Sequence, residues 1–415
     1  MSAQRFSALA LAALAACGPR ITPVETRTFD APGARHPTIA IAPDGTTLVA
    51  WVAMDGAASN VWLARAEPDG AFGAPIRVND IDGDAAPHDQ APAQVVVGDD
   101  GNVLVLWQNN TPAEGRMFPW SDLRLARSTD GGRSFEPAIT VNDDAGGPPA
   151  SHTFHDIAVA PDGTVLVSWI DSRVSARMER EMAAAAESAD QAGHGGHAMH
   201  DMGGPEIRVA KSTDGGRTFS ASTVAAPVAC PCCRTSLAFG NEGQVYVAWR
   251  DVEGDNIRDI AVARSDDGGA TFGVARTVHD DGWEIDGCPH AGPSLAVDVD
   301  GRLHVVWYTG AEGGTGLFHA VSTDGGTTFG PRSPLISRAV VPVSHARLAA
   351  DGPHVWAVWE DRSSRESRLL LGRSDRGMAE GIVIASGRLP GIAARDGLVA
   401  VTWTDGSAIH VRTGQ

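Results

Sequence analysis

One phrase recurs seven times along this 415-residue chain: an apolar run, an Asp-Gly or Glu-Gly turn, and an alternating apolar strand that ends in Trp. The Trp residues of the seven copies are Trp51, Trp107, Trp169, Trp249, Trp307, Trp359 and Trp403. Alternating apolar residues on both sides of a tight turn predict a β-hairpin. Because the unit recurs along the whole chain, it restricts the fold to an array of similar units that bury their apolar faces against one another.

Each repeat contains more than its hairpin. After the Trp come a third strand, for example residues 123–127 or 260–264, a second tight turn, and a fourth strand such as residues 139–142. Such repeats, arranged around an axis, predict an all-β fold: a seven-bladed β-propeller of four-stranded antiparallel blades, in which only short strand edges are exposed. The 48 Gly and 25 Pro agree with so many turns. A six-bladed ring with a ragged seventh repeat is the alternative.

The two ends of the chain are predicted to share a blade. The last repeat stops after its third strand, residues 409–413, whereas residues 24–29 resemble the fourth strand of other repeats. Pairing of these two segments would close the ring, because the first and last strands would then lie in one sheet.

The second turn of four repeats carries a shared signature of Ser, Asp, two Gly and Phe. The four copies begin at Ser128, Ser212, Ser265 and Ser322. They resemble the Asp-boxes, or BNR repeats, of the sialidase-like β-propeller family, with Phe in place of the usual Trp. Ser and Asp side chains accept hydrogen bonds from turn amides, and Gly adopts conformations closed to other residues. The resemblance therefore implies the propeller fold and leaves the activity open.

The first residues of the chain resemble an export signal. Arg5 precedes an apolar run, residues 6–16, that is too short to span a membrane as a permanent helix. The run ends in Leu-Ala-Ala before Cys17, which resembles the lipobox of bacterial lipoproteins. We predict a signal peptide at residues 1–16, a lipid on Cys17, and a single propeller domain over residues 17–415. An ordinary cleavage site with an incidental Cys is the alternative.

Anchor and charge together predict a location and exclude one class of partner. A lipid on Cys17 would hold the protein at the cell envelope, with the anchor as its only membrane contact. The lipobox resemblance implies the outer membrane, because no Asp follows this Cys. The formal net charge of −18, from 33 basic and 51 acidic residues, repels phosphate backbones. We therefore expect no nucleic-acid partner, and the acidic surface itself indicates no more than solubility.

Cysteines and histidines gather at the starts of neighbouring repeats. When the repeats are aligned on their Asp-Gly or Glu-Gly turns, Cys232 matches His290, and His152 takes the same position one repeat earlier, with His155 close by. In a propeller these positions lie near the axis, on the face opposite the Asp-box turns. Because these positions converge on the axis, we expect Cys232, Cys233, His290, His152 and His155 to approach one another. Thiolate and imidazole groups are ligands that Zn²⁺ and copper prefer, so the sequence predicts a metal site here.

Disulfides are an equally supported use of these cysteines. Cys230 and Cys288 occupy matching positions in adjacent repeats and could pair, while Cys232 and Cys233 could form a strained vicinal disulfide. A mixed arrangement, with Cys230 bridged to Cys288 and the other two thiols available for metal, also fits. The sequence leaves the three arrangements open.

The connection after Trp169 is longer than its equivalents. This insertion, residues 174–204, contains an Ala-rich stretch, residues 176–189, that predicts a helix. The stretch is followed by a tract with nitrogen and thioether donors: His194, His197, Met199, His200 and Met202. Such tracts are compositional candidates for metal binding, and the methionines favour copper over zinc. A solvated insertion with incidental His is the alternative.

An active sialidase is the second functional reading, because the family resemblance implies arginines that hold a carboxylate, an acid and a Tyr-Glu nucleophile pair. Arg35, within Arg-His-Pro, resembles the first arginine phrase of the family. Arg234 could assist it, Asp55 could act as the acid, and Tyr308 with Glu312 could supply the nucleophile pair. Two departures weaken this assignment: the chain has only two Tyr, and His36 replaces an apolar residue.

The sequence thus predicts an envelope lipoprotein that binds a metal ion, copper before zinc, on the face opposite the Asp-box turns, for metal handling or redox use. A glycan is the ligand expected of the sialidase alternative. A scaffold that docks another envelope protein is a third possibility, because nothing in the sequence excludes it.

Overall fold

The computed structural model describes residues 24–68, 70–114, 119–188, 204–254, 256–338 and 341–414. Within these residues, 28 strands form seven four-stranded antiparallel sheets. The first strands of neighbouring sheets contact one another around the ring and are therefore the innermost strands. The predicted seven-bladed β-propeller is confirmed, and the six-bladed alternative is wrong.

The strands are numbered in chain order. Strand β1 is Val24–Asp30. Blade one contains β2 to β5 (Arg35–Ile41, Thr47–Asp55, Ala58–Ala66, Ile76–Arg77), blade two contains β6 to β9 (Gln94–Val97, Val103–Gln108, Leu123–Ser128, Ile139–Thr140), and blade three contains β10 to β13 (His152–Val159, Val165–Asp171, Glu206–Ser212, Thr223–Ala226).

Blade four contains β14 to β17 (Ser236–Phe239, Val245–Arg250, Ile260–Ser265, Arg276–Thr277), and blade five contains β18 to β21 (Ser294–Val297, Leu303–Thr309, Gly316–Ser322, Ser333–Ser337). Blade six contains β22 to β25 (Ala346–Asp351, His354–Asp361, Arg368–Arg373, Ile382–Ser386), with a short 3-10 turn at Ser374–Arg376. Blade seven contains β26 to β28 (Arg388–Arg395, Leu398–Thr404, Ala408–Gly414).

The N-terminal strand completes blade seven, as the unfinished last repeat predicts. β1 pairs antiparallel with β28, from Val24 opposite Thr413 to Asp30 opposite Ala408. The first and last described strands therefore lie side by side, and their backbone hydrogen bonds close the ring.

The second strand of a blade is the most buried, because neighbouring blades cover both of its faces. β7, β11, β15 and β19 are buried at every position. The Trp residues near the ends of five second strands, those of blades two to six, are at most 1% exposed: Trp107, Trp169, Trp249, Trp307 and Trp359. The apolar core thus lies between the blades, and polar residues are left for the two ends of the ring.

The four Ser-x-Asp-Gly-Gly turns fold alike. In blade two, Ser128 Oγ accepts a hydrogen bond from Gly132 N at 2.8 Å and donates one to Asp130 Oδ1 at 2.7 Å. Asp130 also accepts from Ser134 N at 2.9 Å and from Ser134 Oγ at 2.6 Å. The turns of blades three to five repeat this arrangement.

The antiparallel topology gives the ring two distinct ends. The turns that follow the first and third strands of a blade lie at one end, which we name the turn end. The segments that precede the first strand and follow the second strand lie at the other, which we name the loop end. Cys232, Cys233 and His290, which precede the first strands of blades four and five, therefore belong to the loop end.

Helix α1, Arg173–Ser188, follows β11 at the loop end. It begins earlier than the predicted helix at residues 176–189. The reason is that Asp171 Oδ1 accepts a hydrogen bond from Arg173 N at 2.9 Å, as residues that precede a helix commonly do. In the described ranges, no helix is long and apolar enough to cross a membrane.

Candidate functional site

Three cysteines lie together at the loop end, where the chain passes from blade three to blade four. Cys230, Cys232 and Cys233 belong to the segment between β13 and β14. Cys230 Sγ is 3.5 Å from Cys232 Sγ and 3.8 Å from Cys233 Sγ. The three residues are buried, with exposed fractions of 1%, 4% and 1%. We refer to them as the thiol cluster.

Backbone contacts on both sides hold the thiol cluster in place. Cys230 N donates to Arg250 O at 2.9 Å, at the end of β15, and Thr235 N donates to Phe154 O at 2.9 Å in blade three. Pro231 restricts the backbone between the first two cysteines. The short segment therefore turns tightly enough to bring its three sulfurs within 4.8 Å of one another.

Arginines lie around the thiol cluster and favour thiolate. Hydrogen bonds from the thiols of Cys232 and Cys233 lower the pKa of Cys230, and the charge of Arg258, whose Nη1 is 3.3 Å from Cys230 Sγ, adds to this effect. Burial raises the pKa of Cys233 to about 12, against the opposing charge of Arg250. The neighbouring thiols and Arg258 thus favour thiolate at Cys230, and Arg250 opposes the effect of burial at Cys233.

The spacing of the sulfurs fits a metal centre better than a disulfide. Two sulfurs bound at about 2.3 Å to one tetrahedral ion lie about 3.8 Å apart, which is close to the observed 3.5 and 3.8 Å. The sulfurs of a disulfide are only about 2 Å apart. Cys230, Cys232, Cys233 and Cys288 are all free thiols. The structure therefore contains neither of the disulfides considered above.

The histidines expected beside the thiols do not join the sulfurs in one group of mutually close ligand atoms within the described residues. Two groups of mutually close ligand atoms occur among the described residues: the three sulfurs, and His152 with Asp144 and Asp171. The ring of His290 lies 6.0 Å from that of His88. His155 is fully buried, and its Nε2 donates to Pro92 O at 3.0 Å. The third sulfur of the thiol cluster instead belongs to Cys230, which the mixed arrangement assigned to a disulfide.

His152 belongs to a separate network of charged groups in blade three. Its Nε2 lies 3.0 Å from Asp144 Oδ1 and 3.6 Å from Asp171 Oδ2, and its Nδ1 contacts Ser121 O at 2.7 Å. Arg173 bonds both oxygens of Asp171, at 2.9 and 2.7 Å. The guanidinium of Arg173 balances the negative charge of these carboxylates. This arrangement favours a structural ion-pair network over a metal site. The sequence analysis missed Asp144 and Asp171 as partners of this histidine.

A second polar group lies on the propeller axis at the loop end. Arg234 is fully buried; its Nη2 donates to Ala346 O at 2.8 Å and its Nη1 to Gln90 Oε1 at 3.4 Å. Gln90 Nε2 in turn donates to His345 Nδ1 at 3.1 Å. Arg347 on β22 and Asp156 on β10 lie close enough for their charges to interact. We refer to Gln90, Asp156, Arg234, His345 and Arg347 as the axial cluster.

Positive charge exceeds negative charge in the axial cluster. Burial lowers the pKa of both Arg234 and Arg347, and burial raises the pKa of Asp156, their carboxylate neighbour. Burial and the charge of Arg234 lower the pKa of His345 to about 3, so this imidazole is neutral. Arg234 Nε and Arg347 Nη2 are buried without a hydrogen-bond partner. The sequence analysis noted Arg234 and missed Arg347, although Arg347 alternates with apolar residues on an innermost strand.

The residues considered for sialidase chemistry are engaged in structural contacts. Tyr308 is buried, and its hydroxyl donates to Val341 O at 2.7 Å. Arg35 is largely exposed and lies 3.8 Å from Asp89. Glu312 is exposed, and the side chain of Asp55 lies outside the described part of the structure. The structure therefore gives no sign of an assembled Tyr-Glu nucleophile pair.

Several predicted residues lie outside the described ranges. They are the lipidation candidate Cys17 and the tract of the insertion with His194, His197, Met199, His200 and Met202. Their predicted roles remain predictions.

Comparison with solved structures supports the fold. An ulvan lyase, a polysaccharide lyase solved with -[GlcA(1-4)Rha3S]- bound, has a TM-score of 0.55 at 12% identity, over 94% of this chain and 95% of its own. A Hadza microbial sialidase has a TM-score of 0.51 at 15% identity, over 87% of this chain and 74% of its own. A protein of unknown function from Dyadobacter fermentans has a TM-score of 0.49 at 16% identity, over 96% of this chain and 100% of its own.

The strand topology defines the fold as a seven-bladed β-propeller, and the likeness to the microbial sialidase and the ulvan lyase agrees with that fold. No protein-family model and no curated protein sequence matches the chain. At 12–15% identity the likeness concerns the fold alone. The function must therefore be argued from the thiol cluster and the axial cluster themselves.

Proposed function

We propose that the protein binds a soft transition-metal ion through the thiol cluster and handles that metal in the cell envelope. The observation that carries this proposal is the approach of three buried sulfurs to 3.5 and 3.8 Å at a site that also holds a cationic Arg258. Metal binding would release the protons of the thiols, and the arginines would offset the negative charge that results.

Copper(I) is the preferred ion. Zn²⁺ in a structural site takes four protein ligands, whereas this cluster offers three sulfurs and no fourth ligand atom within the described residues. Thiolate ligands select soft ions such as Cu⁺. The sequence offers further copper donors in the His and Met residues of the tract 194–202, which lies outside the described residues.

Metal titration of the reduced protein tests this proposal. Protein purified without metal-affinity chromatography and titrated separately with Cu⁺ and Zn²⁺ is expected to bind one Cu⁺ with thiolate-to-copper charge-transfer absorption. Cys232→Ser should lower Cu⁺ affinity by roughly a hundredfold or more, because it removes a direct ligand. His290→Ala is the control and should bind as the wild type does. Failure of the reduced wild type to bind stoichiometric metal would rule the proposal out.

Binding of an acidic glycan at the axial cluster is a second candidate. Its support is the buried excess of positive charge: Arg234 and Arg347 each retain an unpartnered N–H, and Asp156 is the carboxylate whose charge acts on both. Guanidinium groups bind carboxylates by paired, charge-assisted hydrogen bonds. Two propellers of similar fold are a sialidase and a lyase solved with a glucuronate-containing oligosaccharide.

Calorimetric titration with sialyllactose and with a glucuronate oligosaccharide separates this candidate from metal binding. Arg347→Gln should weaken binding of the acidic sugar about tenfold or more, since it removes one charged hydrogen bond. Arg217→Gln, an exposed arginine of the turn end, should leave binding unchanged. The absence of binding of either sugar by the wild type would eliminate the candidate, and turnover of a fluorogenic sialoside would promote it to an enzyme.

A further inference from the structure

The thiol cluster has no sulfur at the surface, although a metal must reach it. Its three residues are at most 4% exposed. Cys288, in the segment that leads into β18 of the adjacent blade, is exposed and free. The described chain beyond the cluster therefore contains one further thiol, and that thiol is the accessible one.

One guanidinium connects the Cys288 segment to the thiol cluster. Arg258 Nη1 donates to Gly287 O at 2.9 Å and contacts Cys230 Sγ at 3.3 Å. Asn256 Oδ1 accepts from Arg258 Nε at 3.1 Å and from Nη2 at 2.9 Å, which fixes the orientation of the guanidinium. Cys288 directly follows Gly287, so its segment and the Cys230 sulfur are neighbours across a single side chain.

We propose that Cys288 is the receiving thiol of this site: it takes Cu⁺ from a complex with a low-molecular-weight thiol and passes it to Cys230. This inference rests on the proposed metal-binding function. Arg258 covers the Cys230 sulfur until the ion arrives, and displacement of its 3.3 Å contact exposes that sulfur. Cys288 then returns to its free state while the ion stays in the thiol cluster.

The transfer is a series of ligand exchanges in which copper remains Cu⁺. The Cys288 sulfur forms a bond to the ion as the donor thiol leaves with a proton. The Cys230 sulfur then replaces the Cys288 sulfur, Cys232 and Cys233 complete the site, and their protons pass to Cys288 and to solvent. Each bond between copper and sulfur that breaks is replaced by another, and no electron is transferred.

Loading kinetics of the full chain test the proposal. A tethered thiol acts at an effective concentration in the millimolar range, so Cys288→Ser should slow loading from a Cu⁺–glutathione complex roughly tenfold while the final stoichiometry and absorption remain those of the wild type. An equal loading rate would overturn the proposal. A lower final stoichiometry would also overturn it, because Cys288 would then be a permanent ligand.

Thiol alkylation gives a second readout that does not depend on the variant. A maleimide should label Cys288 first in the metal-free protein, and Cys288 should remain reactive after loading while the thiol cluster is protected. Protection of Cys288 in the loaded protein would contradict the transient role. The two proposals fail separately: a wild type that binds no copper removes the proposed function, whereas a wild type and Cys288→Ser that load at the same rate remove only the receiving thiol.

Discussion

Among single residues, His152 shows how burial and charge compete. Burial alone would lower the pKa of this imidazole, but the hydrogen bond to Asp144 and the charges of Asp171 and Asp144 together raise it above 6.5. Burial would likewise raise the pKa of Asp144, and the hydrogen bond from His152 instead holds that pKa low. The carboxylates of Asp144 and Asp171 therefore favour the protonated form of this buried imidazole.

Replacement of His152 by Gln should change how stability depends on pH. Because the folded-state pKa lies above 6.5, the charged imidazole stabilises the folded protein below that pH, and the contribution disappears as pH rises through the folded-state pKa. We expect His152→Gln to lower the free energy of unfolding by about 2 kcal/mol near pH 5.5 and by less near pH 9. Urea unfolding across this range measures the effect.

The matched control for this prediction is His354→Gln. His354 lies 3.7 Å from Asp375, and both side chains are 39% exposed, so solvent screens the pair. This substitution should leave the pH profile of stability close to that of the wild type. Parallel profiles for wild type and His152→Gln would show that the raised pKa makes no contribution to folding.

The comparison of His152 with Cys232 shows what sequence register can and cannot predict. The two share a position in the repeat, and alignment correctly places Cys232 and Cys233 at the loop end. β10, however, extends back to His152, where pairing with Asp171 holds the ring in the charged network. β14 begins only at Ser236, so strand pairing does not hold Cys232. The repeat pattern does not predict where a strand begins, because strand length depends on contacts between segments that are distant in sequence.

At the scale of elements, the turn after β8 joins two blades as well as two strands. A Cβ added at Gly132, whose φ is +80°, would lie 2.8 Å from Leu48 Cδ2 and 3.3 Å from Leu63 Cδ2 of blade one. The turn of blade three lies against blade two in the same way, since a Cβ at Gly216 would lie 3.0 Å from Leu104 Cδ2. These glycines therefore set how closely adjacent blades approach.

A pair of Gly→Ala substitutions in blade two separates backbone strain from blade packing. Gly101 has a φ of +77° and open space around its added Cβ, whereas Gly132 has nearly the same φ and a close neighbour. Both variants should lose about 1 kcal/mol to the left-handed conformation. Gly132→Ala should lose about 1–3 kcal/mol more, because the methyl group displaces Leu48. Equal losses in denaturant unfolding would show that the turn does not set the blade contact.

The hairpins at this scale were predictable from sequence, and the ends of the outer strands were not. Residues 139–142 were expected to form a fourth strand, but β9 ends at Thr140. Asn142 Oδ1 accepts the hydrogen bond from Leu123 N at 3.0 Å, so a side chain takes over where the backbone ladder stops. Asn79 does the same for Val61 N in blade one, at 2.8 Å. Alternation of apolar residues in the sequence does not show whether a backbone N–H will bond to a neighbouring strand or to an Asn side chain.

At the scale of the whole molecule, β1 is the element that makes the ring continuous. It contributes the outermost strand of blade seven, and its side chains also contact blade one. The ring of Phe29 lies 5.5 Å from that of Trp51 and 4.8 Å from that of Phe72. Arg27 Nη1 donates to Gly70 O at 2.7 Å. One short strand thus carries both the closure of the last blade and part of its contact with the first.

Removal of β1 should therefore open the ring at one place. A chain that begins at residue 31 loses the pairing with β28 and exposes that strand's backbone N–H and C=O groups, which favours pairing with a second molecule. We expect a lower thermal midpoint and self-association in size-exclusion chromatography, relative to a chain that begins at residue 24. Phe29→Ala keeps the backbone pairing and should cost about 3 kcal/mol without self-association. If the shortened chain melted at the same temperature and stayed monomeric, the stability of the ring would come from the contacts between blades, and the closing strand would be dispensable.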